Sequence, residues 1–131
     1  MRPNVHGSLA TGLAIALIAG LPLLMGCSQP AHSNTLQVTY YYQPGCAVCE
    51  RARPAVGALE NEFSGKVIAT TVDATTPEGS RAMESLGLDK HGLVIRSSRG
   101  FVLWKQPGRD VDLQEVRQEL HALVGSGRAS A

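Results

Sequence analysis

The stretch that decides how this chain folds is Tyr40-Tyr41-Tyr42-Gln43-Pro44-Gly45-Cys46-Ala47-Val48-Cys49-Glu50-Arg51. An aromatic run breaks at Pro-Gly, and two cysteines separated by two residues follow at once. β-Branched and aromatic side chains suit the pleated surface of a strand, and Pro-Gly ends one. Read backwards from the break, Leu36–Tyr42 is the first strand. Read forwards, Val48, Ala52, Ala55/Val56, Leu59 and Phe63 recur every three or four residues, while Glu50, Arg51, Arg53, Glu60 and Glu62 fall on other faces. That is the period of an amphipathic helix, with a kink predicted at Pro54. The cysteine pair thus stands where a strand passes into a helix. Its two sulfurs can serve as a working dithiol, as half of a metal site or as a structural staple.

The remaining elements follow by the same reading. Val67–Asp73 is a second strand, and Pro77–Leu86 a second helix with proline at its favoured first position. Strand, helix and strand in succession imply a right-handed parallel crossover. Residues 93–96 and 101–105 are strand-like runs joined by the turn-rich Ser97-Ser98-Arg99-Gly100, as in an antiparallel hairpin. Asp112 and Glu115 form a capping box for a last helix whose Leu113, Val116, Leu120 and Leu123 share a stripe, and Gly125 can end it. Residues 126–131 read as a frayed, disordered tail. The order βαβαββα makes this an α/β domain over 36–125, a central mixed sheet flanked by helices. No internal repeat is present.

The first 26 residues stand apart. A short polar start with Arg2, an apolar run from Leu9 to Met25 and then small residues before a cysteine have the layout of an export signal. Leu23-Leu24-Met25-Gly26-Cys27 also resembles the lipobox of bacterial lipoproteins, which implies cleavage after Gly26 and lipid on Cys27. The other reading of the apolar run is an uncleaved membrane anchor. Residues 27–35, polar and with Pro30, then form a flexible tether that keeps the domain near a membrane on its extracytoplasmic, periplasm-facing side. Ser28 follows the lipidated position where aspartate would favour inner-membrane retention, so the outer membrane is the expected site in a Gram-negative cell. In that oxidising compartment the mature chain retains only Cys46 and Cys49 as thiols, and a close pair tends toward a disulfide.

The balance of charge excludes one class of function. The chain carries twelve Lys+Arg against eleven Asp+Glu, a formal net charge of +1, with the basic residues scattered. Such a surface gives no steering toward a polyanion, so no nucleic-acid partner is expected. A monomer is.

The element order, with Cys-x-x-Cys at the strand-to-helix junction, resembles the thioredoxin fold over about residues 36–125. Pro54, five residues after the second cysteine, agrees with the helix-kinking proline of thioredoxins. The resemblance implies a thiol–disulfide oxidoreductase whose one redox centre is a Cys46–Cys49 disulfide, with no other cofactor, acting on protein thiols or disulfides of the cell envelope. Position supplies the chemistry. A sulfur at a helix N-terminus faces unpaired backbone N–H groups and the positive end of the helix dipole, which favour thiolate over thiol. Cys46 is therefore the expected nucleophile and Cys49 the resolving thiol.

Departures from the thioredoxin pattern define the remaining candidates. Where thioredoxin reads W-C-G-P-C, this chain has Gly45 for the tryptophan and Ala47-Val48 for Gly-Pro, and Tyr40 replaces the buried aspartate six residues before the first cysteine. Tyr40 or Tyr42 can place a phenol near Cys49 in its stead, or can be strand packing alone. The loop that carries a cis-proline opposite the dithiol has His91-Gly92, a tuning or substrate loop in which glycine is expected to leave the sulfurs more open. His91 has three readings: a solvated surface residue, a group that tunes Cys46, or a third ligand. In the last, Cys46, Cys49 and His91 hold a soft metal, copper or zinc, and the protein is a metallochaperone-like binding module.

Overall fold

The computed structural model describes residues 34–130 apart from residue 109. The signal and lipidation readings, including Cys27, and most of the tether lie outside the described residues. Seven main elements are present: β1 (Leu36–Tyr42), α1 (Ala47–Glu62), β2 (Val67–Asp73), α2 (Pro77–Leu86), β3 (Gly92–Arg96), β4 (Val102–Pro107) and α3 (Leu113–Gly125). None of these helices is long and apolar enough to cross a membrane.

The sheet order is β2-β1-β3-β4, with β1 parallel to β2 and antiparallel to β3, and β3 antiparallel to β4. Strand alternation sends Leu36, Val38 and Tyr40 to one face, where they are buried with Leu93 and Ile95 of β3, Val56 and Leu59 of α1, and Val116 and Leu120 of α3. Tyr41 and Val94 point the other way and pack with Met83 and Leu88 beneath α2. One sheet between α2 on one face and α1 with α3 on the other is the thioredoxin-like α/β arrangement. β1, central and covered on both sides, is the strand that delivers the chain to the cysteines.

Local chemistry sets the boundaries. Thr76 caps α2 by accepting from the Gly79 N–H at 3.0 Å, and Gly87 ends it in the left-handed conformation at φ 64°. Asp112 caps α3, accepting from the N–H groups of Gln114 and Glu115 at 2.9 and 3.2 Å. The expected capping box is only half formed. Glu115 accepts instead from the Gln106 amide at 2.5 Å, and the Asp112 N–H donates to Gln106 Oε1 at 3.0 Å, so β4 supplies the reciprocal arm. α1 runs unbroken through Pro54, which lies in its second turn.

The C-terminal reading is corrected. Residues 126–131 are not a frayed tail throughout, because Gly127 turns the chain at φ 69° and a short 3₁₀ turn, Arg128–Ser130, follows. It seats Ala129 in the core at 3% exposure, and the Ala129 carbonyl accepts from the Ser98 N–H at 2.9 Å. A small apolar residue that fits the end of the cluster leaves no periodic mark in sequence, which is why the segment reads as loose.

Candidate active site at the start of the first helix

Gly45, at φ 78°, completes the Pro44-Gly45 turn that takes the chain out of the sheet and into α1. Cys46 is the N-cap of α1, with extended backbone angles, and its sulfur accepts the Cys49 N–H at 3.3 Å. Cys46 and Cys49 are joined as a disulfide with their Cα atoms 5.2 Å apart. The two sulfurs differ in access: Cys46 is half-buried, whereas Cys49, one turn into the helix, is fully buried in the core cluster. A partner molecule can therefore reach Cys46 first.

The structure brings His91 to this pair. One nitrogen of His91 and the sulfurs of Cys46 and Cys49 all lie within 4.8 Å of one another. The surface reading of His91 is overturned, since the residue is 9% exposed. Its carbonyl accepts from the Gly108 N–H at 3.2 Å and its own N–H is 2.6 Å from the Asp89 carbonyl oxygen, so backbone bonds on both sides fix its place. Lys90 precedes it in the left-handed region at φ 56°.

Gly92 does not open the site. It is the first residue of β3 rather than a loop residue, it is buried, and it faces α2: a Cβ there would lie 3.0 Å from the Gln106 carbonyl oxygen and 3.0 and 3.1 Å from the two Leu88 methyl carbons. Strand alternation thus separates neighbours, with His91 toward the sulfurs and Gly92 under Leu88.

The two tyrosines divide. Tyr40 is fully buried in the cluster that contains Cys49, and its hydroxyl has no hydrogen-bond partner among the described residues. Burial, with the charges of Asp110 and Glu50 in support, pushes its pKa above the usual phenol value, so it keeps its proton. Tyr40 is therefore not a base in place of the missing aspartate; it is a neutral donor held in an apolar setting. Tyr42, half-buried, lies under the Arg53 guanidinium, 4.3 Å from its ring centroid, and Arg53 pairs with Glu50 at 3.0 Å. Glu50, Arg53 and Asp110 are neighbours of the site that the sequence reading did not single out. The i,i+3 spacing of Glu50 and Arg53 was a usable signal for the pair. Nothing in the sequence places Asp110.

A shallow cavity of about 440 Å³ lies between Gln43, Met83, Leu88 and Lys90. It lies against α2 and is lined by no cysteine or histidine, so the sulfur chemistry belongs to the opposite face of the sheet.

No family model matches the chain, and no curated protein is similar to it in sequence at a significant level. Solved structures are similar to it in fold. The germline-specific thioredoxin Deadhead of Drosophila melanogaster superposes with a TM-score of 0.59 at 19% identity, covering 71% of this chain and 85% of that one. Thioredoxin O2 of Arabidopsis thaliana, in its oxidised state, gives 0.57 at 21% identity over 69% and 76%. Fasciola hepatica thioredoxin gives 0.52 at 22% over 67% and 83%. At these identities the likeness establishes the thioredoxin-like fold.

Proposed function

We propose that this protein is a thiol–disulfide oxidoreductase held at the extracytoplasmic face of a membrane by lipid on Cys27. The observation that carries the reading is the asymmetry of the pair, a half-buried Cys46 capping α1 beside a fully buried Cys49. In the reduced protein the Cys46 thiolate, stabilised by the Cys49 N–H and the N-terminal end of the helix, attacks one sulfur of a substrate disulfide. An S–S bond forms to Cys46 and the substrate's other sulfur leaves as thiolate. Cys49, having given up its proton, then attacks Cys46 Sγ; the mixed disulfide breaks, the second substrate thiolate leaves and takes a proton, and Cys46–Cys49 is oxidised. Two electrons pass from the protein to the substrate. Run in reverse, the same steps oxidise a dithiol, and the direction is set by the potential of the partner.

The partners in this reading are protein thiols or disulfides of the cell envelope, met by a monomer on a short tether. The Leu24-Met25-Gly26-Cys27 segment supports the anchor, and Ser28 supports the outer membrane if the cell is Gram-negative.

The test is capture. With the resolving thiol removed by Cys49→Ala, Cys46 should accumulate as mixed disulfides with envelope proteins, seen as heavier bands that collapse on reduction. The Cys46→Ala/Cys49→Ala double variant should capture nothing. Equal capture by both proteins, or none by either, would sink the proposal.

A further inference from the structure

We propose that the reduced pair, together with His91, binds a single Cu(I) ion. The inference goes beyond disulfide exchange and rests on a juxtaposition that exchange does not need: two sulfurs and an imidazole nitrogen on one side of the sheet, all within 4.8 Å of one another. Three donors around a metal in a plane, at bond lengths of ~2.0–2.3 Å, stand about 3.5–4 Å from each other. The nitrogen, within 4.8 Å of both sulfurs, has at most about an ångström to close. The sulfurs reach that spacing only when their bond is broken, and half-buried Cys46, the N-cap of α1, is the one with room to swing away.

The donor set selects the ion. Two thiolates are soft ligands, and imidazole suits copper as well as zinc. Zinc takes four ligands, and since among the described residues no fourth histidine, cysteine or carboxylate joins the group, zinc here would have to hold a water in the fourth position. Three-coordinate Cu(I) is satisfied by what is present. Two thiolates, one neutral imidazole and one Cu(I) leave a net charge of −1, and that charge sits at the positive end of α1, where it is stabilised. Burial of Cys49 and His91 excludes water from two sides, and Cys46 leaves the third open for the ion to enter and leave.

Two molecules of a thiol reductant give up two electrons and two protons, leave as their own disulfide, and convert Cys46–Cys49 to two thiols. Cu(I) then displaces both thiol protons into solvent, with no change in its oxidation state. A substrate disulfide that oxidises the pair takes its two electrons, picks up two protons from solvent, leaves as two thiols and releases Cu(I) unchanged, so exchange and metal binding exclude one another in any one molecule.

The probe is Cu(I) itself, titrated anaerobically against a chromophoric Cu(I) chelator into the reduced full chain, with Cys27→Ser in every sample so that only the pair supplies thiols. The expected result is one Cu(I) per chain, an X-ray absorption spectrum with two sulfurs and one nitrogen around copper, and an affinity lowered at least ten-fold by His91→Ala and by the size-matched His91→Gln. The nitrogen scatterer in the parent protein tests the site even if both variants fold poorly. A copper shell of sulfur alone in the parent, or affinity unchanged in both folded variants, or no binding, would overturn the proposal. Exchange with a small model disulfide, measured on the same samples, separates the two readings: exchange retained without copper binding refutes the metal site alone, and loss of both refutes the dithiol as well.

Discussion

Gly92 shows how a single residue at this site answers to packing on the face away from the chemistry. As the first residue of β3 it has the backbone of β4 and the Leu88 side chain where a Cβ would go, at 3.0 Å in each case. The Leu88 methyls can turn aside, but the Gln106 carbonyl is backbone, so relief also needs the edge strand β4 to give by a few tenths of an ångström. Gly92→Ala should therefore destabilise the protein by about 1–3 kcal/mol, the usual range for overpacking, as read by chemical denaturation. A loss below ~0.5 kcal/mol would mean that β4 yields freely, since surface-like tolerance is of that size. Tyr40 is the opposite case, a residue set by the chemistry's own face. Its hydroxyl is buried without a partner among the described residues, a state that ordinarily costs free energy, and the surrounding core keeps it protonated.

At the scale of elements, the helices are held to one another by few polar links, and one of them titrates. Arg117 of α3 forks onto Glu62 at the end of α1, with Nε and the terminal nitrogen 2.7 and 2.9 Å from the two carboxylate oxygens. The Arg117 hydrogen bonds hold the Glu62 carboxyl below its ordinary 4.5, against a smaller opposing effect of burial. A carboxyl lowered on folding contributes stability that is present above the unfolded value and lost as pH falls through the folded one. Both side chains are more than a third exposed, which limits the effect to the surface range of about 0.2–1 kcal/mol. Glu62→Gln should cost that much near pH 7, and its unfolding curve should converge with that of the parent as pH drops below 4.5. A constant difference across that range would assign the effect to packing rather than charge.

At the scale of the whole molecule, the domain and its proposed anchor are separable. Residues 36–130 form the sheet, the three helices and the closing 3₁₀ turn, and all the sulfur chemistry lies there. Only the lipid on Cys27 ties it to a membrane in the proposed function. Cys27→Ser should leave the dithiol reactive, abolish the fatty-acid label and leave the chain uncleaved after Gly26, read by labelling and by the larger mass of the unprocessed protein. A variant that is still labelled, or still processed to the same mass, would remove the lipid anchor from the account.

The order of strands and helices was legible in the sequence because each element carries its own period and its own boundary signal: Pro44-Gly45 after β1, Pro77 at the start of α2, Asp112 at the start of α3. The placing of Cys46 at a helix N-terminus follows from the same local rules, and so does the difference in depth between the two sulfurs, one turn apart. What lies around them does not. His91 is forty-two residues beyond Cys49, and only the pairing of β1 with β3 carries it to the dithiol and buries it. The same pairing, through strand alternation, turns Gly92 away from the sulfurs and against Leu88, so adjacent residues that read as one loop serve opposite faces of the sheet. Asp110 reaches the neighbourhood of Tyr40 through the connection from β4 to α3, and Ala129 reaches the core by the turn that follows α3. Local sequence specifies period, caps and turns because those depend on neighbours within a few residues; which distant side chains meet is decided by strand pairing and by the volume left to fill, and that exists only once the sheet has formed.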